Sequence, residues 1–247
     1  TRGIARYTTN FTPPTKAFPD TLLTNDLYFD NVSLLLPMDG TNGSTTFTDE
    51  SNNGLTVTAN GNAAISTSEG KFNQSAYFDG NGDYLSVTHN AAIALGSDSF
   101  TIEFWVFPTI TPTSAVAIYN KRASTSTFAG INIGIVANTL APQLAVSFTG
   151  GSWGILQASS VEMTENEWNH LAVVRNGSQW NLYVNGVSGI SATTSSSVYD
   201  DGSNATMGSA PGGGFHFTGY IDDFRITKGV ARYTANFNPP TRAFPNE

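Results

Sequence analysis

Phe100-Thr-Ile-Glu-Phe-Trp-Val-Phe107 is a run of β-favouring residues, and alternation along it puts Phe100, Ile102, Phe104 and Val106 on one face. Thr101, Glu103, Trp105 and Phe107 take the other face. A strand apolar on nearly both faces belongs in the middle of a packed pair of sheets. Working outward, the same chemistry recurs as short runs separated by turn clusters, the spacing of a sandwich or barrel. Val32-Ser-Leu-Leu-Leu-Pro-Met stops at Asp39-Gly-Thr-Asn-Gly, Ser75-Ala-Tyr-Phe-Asp leads through Gly80-Asn-Gly-Asp into Tyr84-Leu-Ser-Val, and Phe217 to Ile226 forms the last strand. The clearest hairpin joins Trp168-Asn-His-Leu-Ala-Val-Val-Arg to Trp180-Asn-Leu-Tyr-Val-Asn-Gly. Between them, Asn176-Gly177 supplies the positive φ of a tight turn. Helical periodicity is weak throughout, with one single-turn candidate at Asn90-Ala-Ala-Ile-Ala-Leu.

Composition agrees with an all-β chain. Of 247 residues only 12% are charged, Phe occurs 16 times, and Gly, Ser, Thr and Asn are abundant. A net charge of −8 with eleven scattered Lys and Arg would repel a phosphate backbone, so nucleic acid is excluded as a partner. The absence of cysteine rules out disulfides, thiolate metal sites and a thiol nucleophile. No run of eighteen apolar residues exists, so no membrane insertion through a helix is expected.

The two ends repeat one another. TRGIARYTTNFTPPTKAFP at 1–19 and TKGVARYTANFNPPTRAFP at 227–245 differ at five of nineteen positions, leaving fourteen identical. Such self-similarity is the mark of a tandem array. It divides the chain into residues 1–30, the tail of a preceding repeat with a linker or arm, a sandwich at 31–226, and a repeat tail at 227–247. The Pro pairs cannot continue a ladder and favour an extended conformation. Each copy is therefore either a semi-rigid connector or an arm docking through Tyr7, Phe11 and Phe18, matched by Tyr233, Phe237 and Phe244.

SLLLPMDG, YFDGNGDYLSV, SFTIEFWVFP, EWNHLAVVRNGSQWNLYVNG and GYIDDFRITKGVARY occur in an order that resembles laminin-G-like, concanavalin-A-like jelly-roll domains. The resemblance covers most of residues 31–236 and implies a two-sheet antiparallel jelly-roll sandwich. Such domains also occur in phage tail and fibre proteins, and the family spans lectins, adhesins, structural modules and glycosidase appendages. Fold alone does not choose among them.

Chemistry is sparse. A glycosidase needs two carboxylates across a cleft, whereas the alternating partners of Glu103 are Thr101 and Trp105. Glu103 is expected to be a satisfied or half-exposed strand carboxylate, and the chain is not expected to be an enzyme. His89, His170 and His216 have no second ligand at metal spacing, so zinc is not expected. Calcium wants oxygen donors, and Asp39, Asp49 and Asp222 supply them from acidic turns and the last strand, where alternation places Asp222 with Phe224 and Ile226. The resemblance adds that many related domains hold calcium near these turns. The competing reading is that each Asp caps its own turn. Trp153, Tyr199, Phe215 and His216 stand in loops as sugar-stacking candidates, Trp153 being equally suited to core packing.

Two functions remain open: a glycan-binding or adhesive module of a repetitive surface or phage-fibre protein, or a building block joining copies head-to-tail. The expected partners are a cell-surface polysaccharide and copies of the chain itself, at an extracellular, cell-surface or virion location.

Overall fold

The computed structural model describes residues 25–124, 128, 130–211 and 214–247. Within them fifteen strands form two sheets, and every pairing is antiparallel. The first sheet runs β13 (Val187–Thr193), β12 (Gln179–Val184), β11 (Asn169–Asn176), β6 (Phe100–Pro108), β15 (Thr218–Lys228), β4 (Ser75–Asp79) and β3 (Ala64–Ser66). β1 (Val32–Leu36) pairs with the part of β15 that β4 does not reach. The second sheet runs β10 (Trp153–Ala158), β9 (Pro142–Ser147), β8 (Ile131–Ile135), β7 (Val116–Lys121), β14 (Ala205–Met207), β5 (Tyr84–Val87) and β2 (Val57–Asn60). The only helical segments among the described residues are single 3-10 turns at Phe29–Asn31 and Ala91–Ile93. The latter falls at the single-turn candidate, with the Asn90 side chain accepting from the Ala92 N–H at 2.8 Å. No helix among the described residues is long and apolar enough to cross a membrane.

Alternation builds the core between the sheets. Phe100, Ile102, Phe104 and Val106 of β6 point inward with Leu34, Leu36, Trp180 and Phe224, facing Ile131, Ile133, Leu144 and Val146 of the other sheet. The β11–β12 turn is centred one residue later than the Asn-Gly reading, because Asn176 pairs with Gln179 and leaves Gly177-Ser178 as the loop. Gly177 alone takes the positive φ there, at 60°. That is the glycine-first form of a two-residue hairpin turn.

The outer face of the first sheet is also covered, which explains why β6 and β1 are apolar on both sides. β15 runs on to Lys228, past the boundary drawn at 226. The chain then crosses its own sheet outward to β12, turns at Pro239-Pro240 and returns to β1. Tyr233 and Phe237 stack on each other at 3.6 Å and pack with Ala231 over Ala172, Val174 and Tyr183. The Phe237 N–H donates to the Gly186 carbonyl at 3.0 Å, and a side chain at Gly186 would collide with the Phe237 carbonyl. Phe244 closes the return over Val32 and Leu35, with the Arg225 guanidinium 3.7 Å from its ring centre. Tyr233, Phe237 and Phe244 thus dock on their own sandwich. Tyr7, Phe11 and Phe18 lie outside the described residues.

Beneath this tail sits Glu103, fully buried and not half-exposed. Arg225 donates to its Oε1 through Nε at 3.1 Å and Nη2 at 2.7 Å, and the Tyr233 hydroxyl donates to Oε2 at 2.7 Å. His170 Nε2 lies 3.4 Å from Oε2, an electrostatic contact without hydrogen-bond geometry. Asp26 accepts from Arg225 and Arg232 and completes the network. Burial alone would raise the Glu103 pKa, but Arg225, with His170 and Arg232, holds it far below the ordinary carboxylate range. A charge this well enclosed is costly to orphan.

Glu103→Ala is therefore expected to cost roughly 3–5 kcal/mol in urea unfolding, because it takes the buried acceptor from both Arg225 and the Tyr233 hydroxyl and leaves Arg225 with Asp26 alone. A carboxyl with a depressed folded pKa contributes fully above its unfolded value, 4.5 here, and loses that contribution as pH falls through the folded value. The parent chain should lose stability below that pH, and Glu103→Gln should lose less over the same interval.

Candidate functional site

The outer face of the second sheet is open, in contrast to the first. Alternation that sends Ile131, Ile133, Leu144 and Val146 inward leaves Asn132 and Gly134 of β8, and Gln143 and Ala145 of β9, facing out. These small and amide side chains floor a groove of about 240 Å³, walled by Trp153 of β10, Phe215 of the loop before β15, and Arg122 at the end of β7. Leu156, exposed on β10, extends the wall.

Arg122 is mostly buried, lying 5.9 Å from the Trp153 ring centre and 6.0 Å from that of Phe215. Burial lowers its pKa from the ordinary value, and among the described residues it forms no ion pair. Arg122 Nε and Asn132 Oδ1 are buried with no hydrogen-bond partner among the described residues. Unsatisfied buried polar atoms are uncommon, and two of them lining one aromatic-walled groove mark a place where a polar ligand fits. A second concavity of about 240 Å³, lined by Tyr84, Ser86, Ser203, Asn204 and Thr206, lies on the other side of Arg122. The guanidinium thus stands between two concavities.

Of the four aromatic candidates, Trp153 and Phe215 meet in this groove. Trp153 is half-buried and makes an edge contact with Phe128 at 5.4 Å, so it is a wall of the groove and not core. Tyr199 packs against Gly150 in the β9–β10 turn and does not line the groove. His216 points elsewhere, into a small separate cavity with Ile110, Pro112 and Ile135. Arg122, Asn132 and Gln143 were not among the sequence candidates. Their signal is the polar member of an alternating strand, as in Ile131-Asn-Ile-Gly-Ile.

The proposed calcium ligands accept from the backbone, Asp49 through both oxygens and Asp39 and Asp222 each through one. Asp49 accepts from the Leu35, Ser51 and Leu55 N–H groups and the Ser51 hydroxyl at 2.7–3.0 Å, which occupies both its oxygens. Asp39 accepts from the Gln74 N–H, and in the Asp79–Asp83 turn the carboxylates likewise cap backbone donors. Asp222 does not share a face with Phe224. A bulge between Asp222 and Arg225, with Asp223 at φ 49°, inserts a residue and turns Asp222 to the outer face opposite Trp105. There it accepts from the Lys71 and Phe72 N–H groups. No group of three acidic or histidine side chains suited to a metal occurs among the described residues.

A family model described as the concanavalin A-like lectin/glucanases superfamily matches residues 79–232, a span that includes the whole groove. No curated protein matches the chain. Among solved structures, the binding domain of Paraclostridial Mosquitocidal Protein 1 aligns at TM-score 0.66 and 17% identity, over 89% of this chain and 51% of that one. The botulinum neurotoxin serotype D ligand binding domain in complex with N-acetylneuraminic acid aligns at TM-score 0.63 and 16% identity, over 85% and 49%. Domain 4 of AbnA, a GH43 extracellular arabinanase from Geobacillus stearothermophilus, in complex with arabinotriose, aligns at TM-score 0.58 and 17% identity, over 81% and 94%. The chain spans about half the length of the toxin-domain structures. At these identities the likeness is one of fold.

Two outcomes follow from the acidic pair in β15. If Asp222 holds calcium together with Asp39, the melting temperature should be higher in excess calcium than in chelator. Burial, followed by mutual repulsion and that of Glu103, pushes Asp223 up to about 8, so its fold favours the neutral acid and the stability it contributes is lost as pH rises from the unfolded value towards 8. Asp223→Asn keeps an oxygen for the Phe244 N–H and tolerates positive φ. It should raise the melting temperature most at pH 9, less at pH 5, and leave it nearly unchanged only below the unfolded value of 3.8.

Proposed function

The chain belongs to the concanavalin A-like lectin/glucanases superfamily, and from that premise we propose that it is a non-catalytic glycan-binding module working through the open face of its second sheet. The observation that carries this reading is that Arg122 Nε and Asn132 Oδ1, both buried and without a hydrogen-bond partner among the described residues, line one groove with the rings of Trp153 and Phe215. Sugars present an apolar ring face beside hydroxyls that both donate and accept, and this groove offers aromatic walls, an acceptor amide and a donor guanidinium. A sugar carboxylate would add a charge-assisted bond to Arg122, so acidic glycans are the preferred class. Concavities on both sides of Arg122 suit an extended chain of more than one unit. Two of the distant structural neighbours were solved with sugars, one acidic and one neutral, in keeping with this class.

Hydrolysis is not part of the proposal. The residues lining the two concavities include no carboxylate, whereas glycoside hydrolysis works between a pair. The module is assigned to an extracellular, cell-surface or virion setting, where it meets polysaccharide.

An array of neutral and acidic oligosaccharides tests the reading. Trp153→Ala should weaken binding to every recognised glycan about tenfold or more, from the loss of ring stacking worth ~1–3 kcal/mol. Arg122→Ala should act mainly on acidic glycans. Both variants should keep the parent circular dichroism spectrum. Absence of any glycan binding by the parent chain removes the proposal.

A further inference from the structure

The tail that seals the first sheet uses a small set of contacts, and the repeat at the start of the chain carries the same set. Arg232 holds Asp26 and Thr227, Tyr233 holds Glu103, Asn236 accepts from the Ser188 N–H, Phe237 fills the space over Tyr183, and Phe244 stacks on Arg225. At the matching positions of the first repeat stand Arg6, Tyr7, Asn10, Phe11 and Phe18, each identical. The five positions that differ are exposed or conservatively exchanged. Ala235, Asn238 and Arg242 are exposed, Val230 contributes its carbonyl to Thr101, and Lys228, replaced by Arg2, keeps its charge.

We propose that residues 1–19 are a second plug for this socket and dock on the outer face of the first sheet of a second copy of the sandwich. The partner is fixed by the chemistry of the socket. It must present a buried carboxylate to receive the Tyr7 hydroxyl, an apolar floor like Ala172 and Val174 for Phe11, and a guanidinium like Arg225 for Phe18. On this sandwich that socket is filled by residues 229–247, so a second plug meets an occupied site. Trans docking therefore requires the resident tail to leave or be weakened. The resulting contact joins unlike surfaces of the two copies and extends without closing. It lies on the opposite sheet from the glycan groove and does not depend on that reading.

Three measurements on the full-length chain decide the matter. First, a chain with Lys228→Arg, Val230→Ile, Ala235→Thr, Asn238→Thr and Arg242→Lys carries the first repeat's sequence in the tail. It should melt within a few degrees of the parent, whereas changing Tyr7, Phe11, Tyr233 and Phe237 together to Ala should lower the melting temperature by ~10 °C or more. A graft that melts as low as that fourfold variant overturns the proposal. Second, a chain with all of Tyr7, Phe11, Tyr233 and Phe237 changed to Ala is titrated with a synthetic peptide of residues 1–19. The peptide should restore the melting temperature saturably, and its Tyr7→Ala/Phe11→Ala form should not. Failure to restore overturns the proposal, and should this variant not fold, the graft still decides. Third, the Tyr233→Ala/Phe237→Ala chain should sediment as dimers or longer species at tens of micromolar, reverting to monomer on adding Tyr7→Ala/Phe11→Ala. A monomer with parental melting temperature would mean that the segment folds back on its own sandwich, which overturns docking between copies.

Discussion

Glu103 sets the terms for half of this molecule. A carboxylate on the outer face of a central strand is ordinarily hydrated, but here it is enclosed, and enclosure is tolerable only with a full set of partners. Arg225, from the neighbouring strand, supplies the counter-charge. Tyr233 supplies the remaining hydrogen bond and comes from the tail. The ion pair and the tail therefore require each other: without the tail the carboxylate loses a donor, and without the carboxylate the tail loses its one charged anchor on β6. Asp26 extends the dependence to the approach to β1, since it takes both Arg225 and Arg232.

The two sheets consequently offer different outer faces. The first is covered by its own chain over β1, β11 and β12. The second keeps a floor of small residues and amides with aromatic walls and a desolvated cation. In a sandwich with a single continuous core the two faces are interchangeable in principle, and it is the C-terminal segment that assigns sealing to one and recognition to the other.

The architecture was legible because its determinants are local and periodic. Alternation in Phe100–Phe107 correctly sorted inward from outward side chains, and the turn clusters marked the strand ends. Where the sequence misleads, the cause is a break in periodicity. The bulge at Asp223 shifts alternation by one residue, so Asp222 faces out while Phe224 faces in. Nothing in Ile221-Asp-Asp-Phe announces that shift, because a single inserted residue looks the same as a continuing strand. The acidic turns were ambiguous for another reason: an Asp that caps backbone N–H groups has the same neighbours in sequence as one that ligates calcium. Of the groove, only the loop aromatics Trp153 and Phe215 stood out. Arg122, Asn132 and Gln143 come from the end of β7 and from β8 and β9, and which outward side chains of these paired strands meet the loop aromatics is a property of topology.

The Asp26 N–H donates to the Glu247 carbonyl at 2.8 Å, so the two ends of the described chain lie side by side. Tension applied at Glu247 would not pass directly to the interleaved strands. It would first open this single hydrogen bond, then peel Phe244 from Arg225 and Phe237 from Tyr183, contacts that yield one after another and not together. Only when the load reached Lys228 would it pull on β15, the strand that bonds to β6 along one edge and to β4 and β1 along the other. A load entering at Glu247 thus lengthens the tail ahead of the sandwich, whereas one entering at Asn25 meets β15 directly through Asp26 and Arg225.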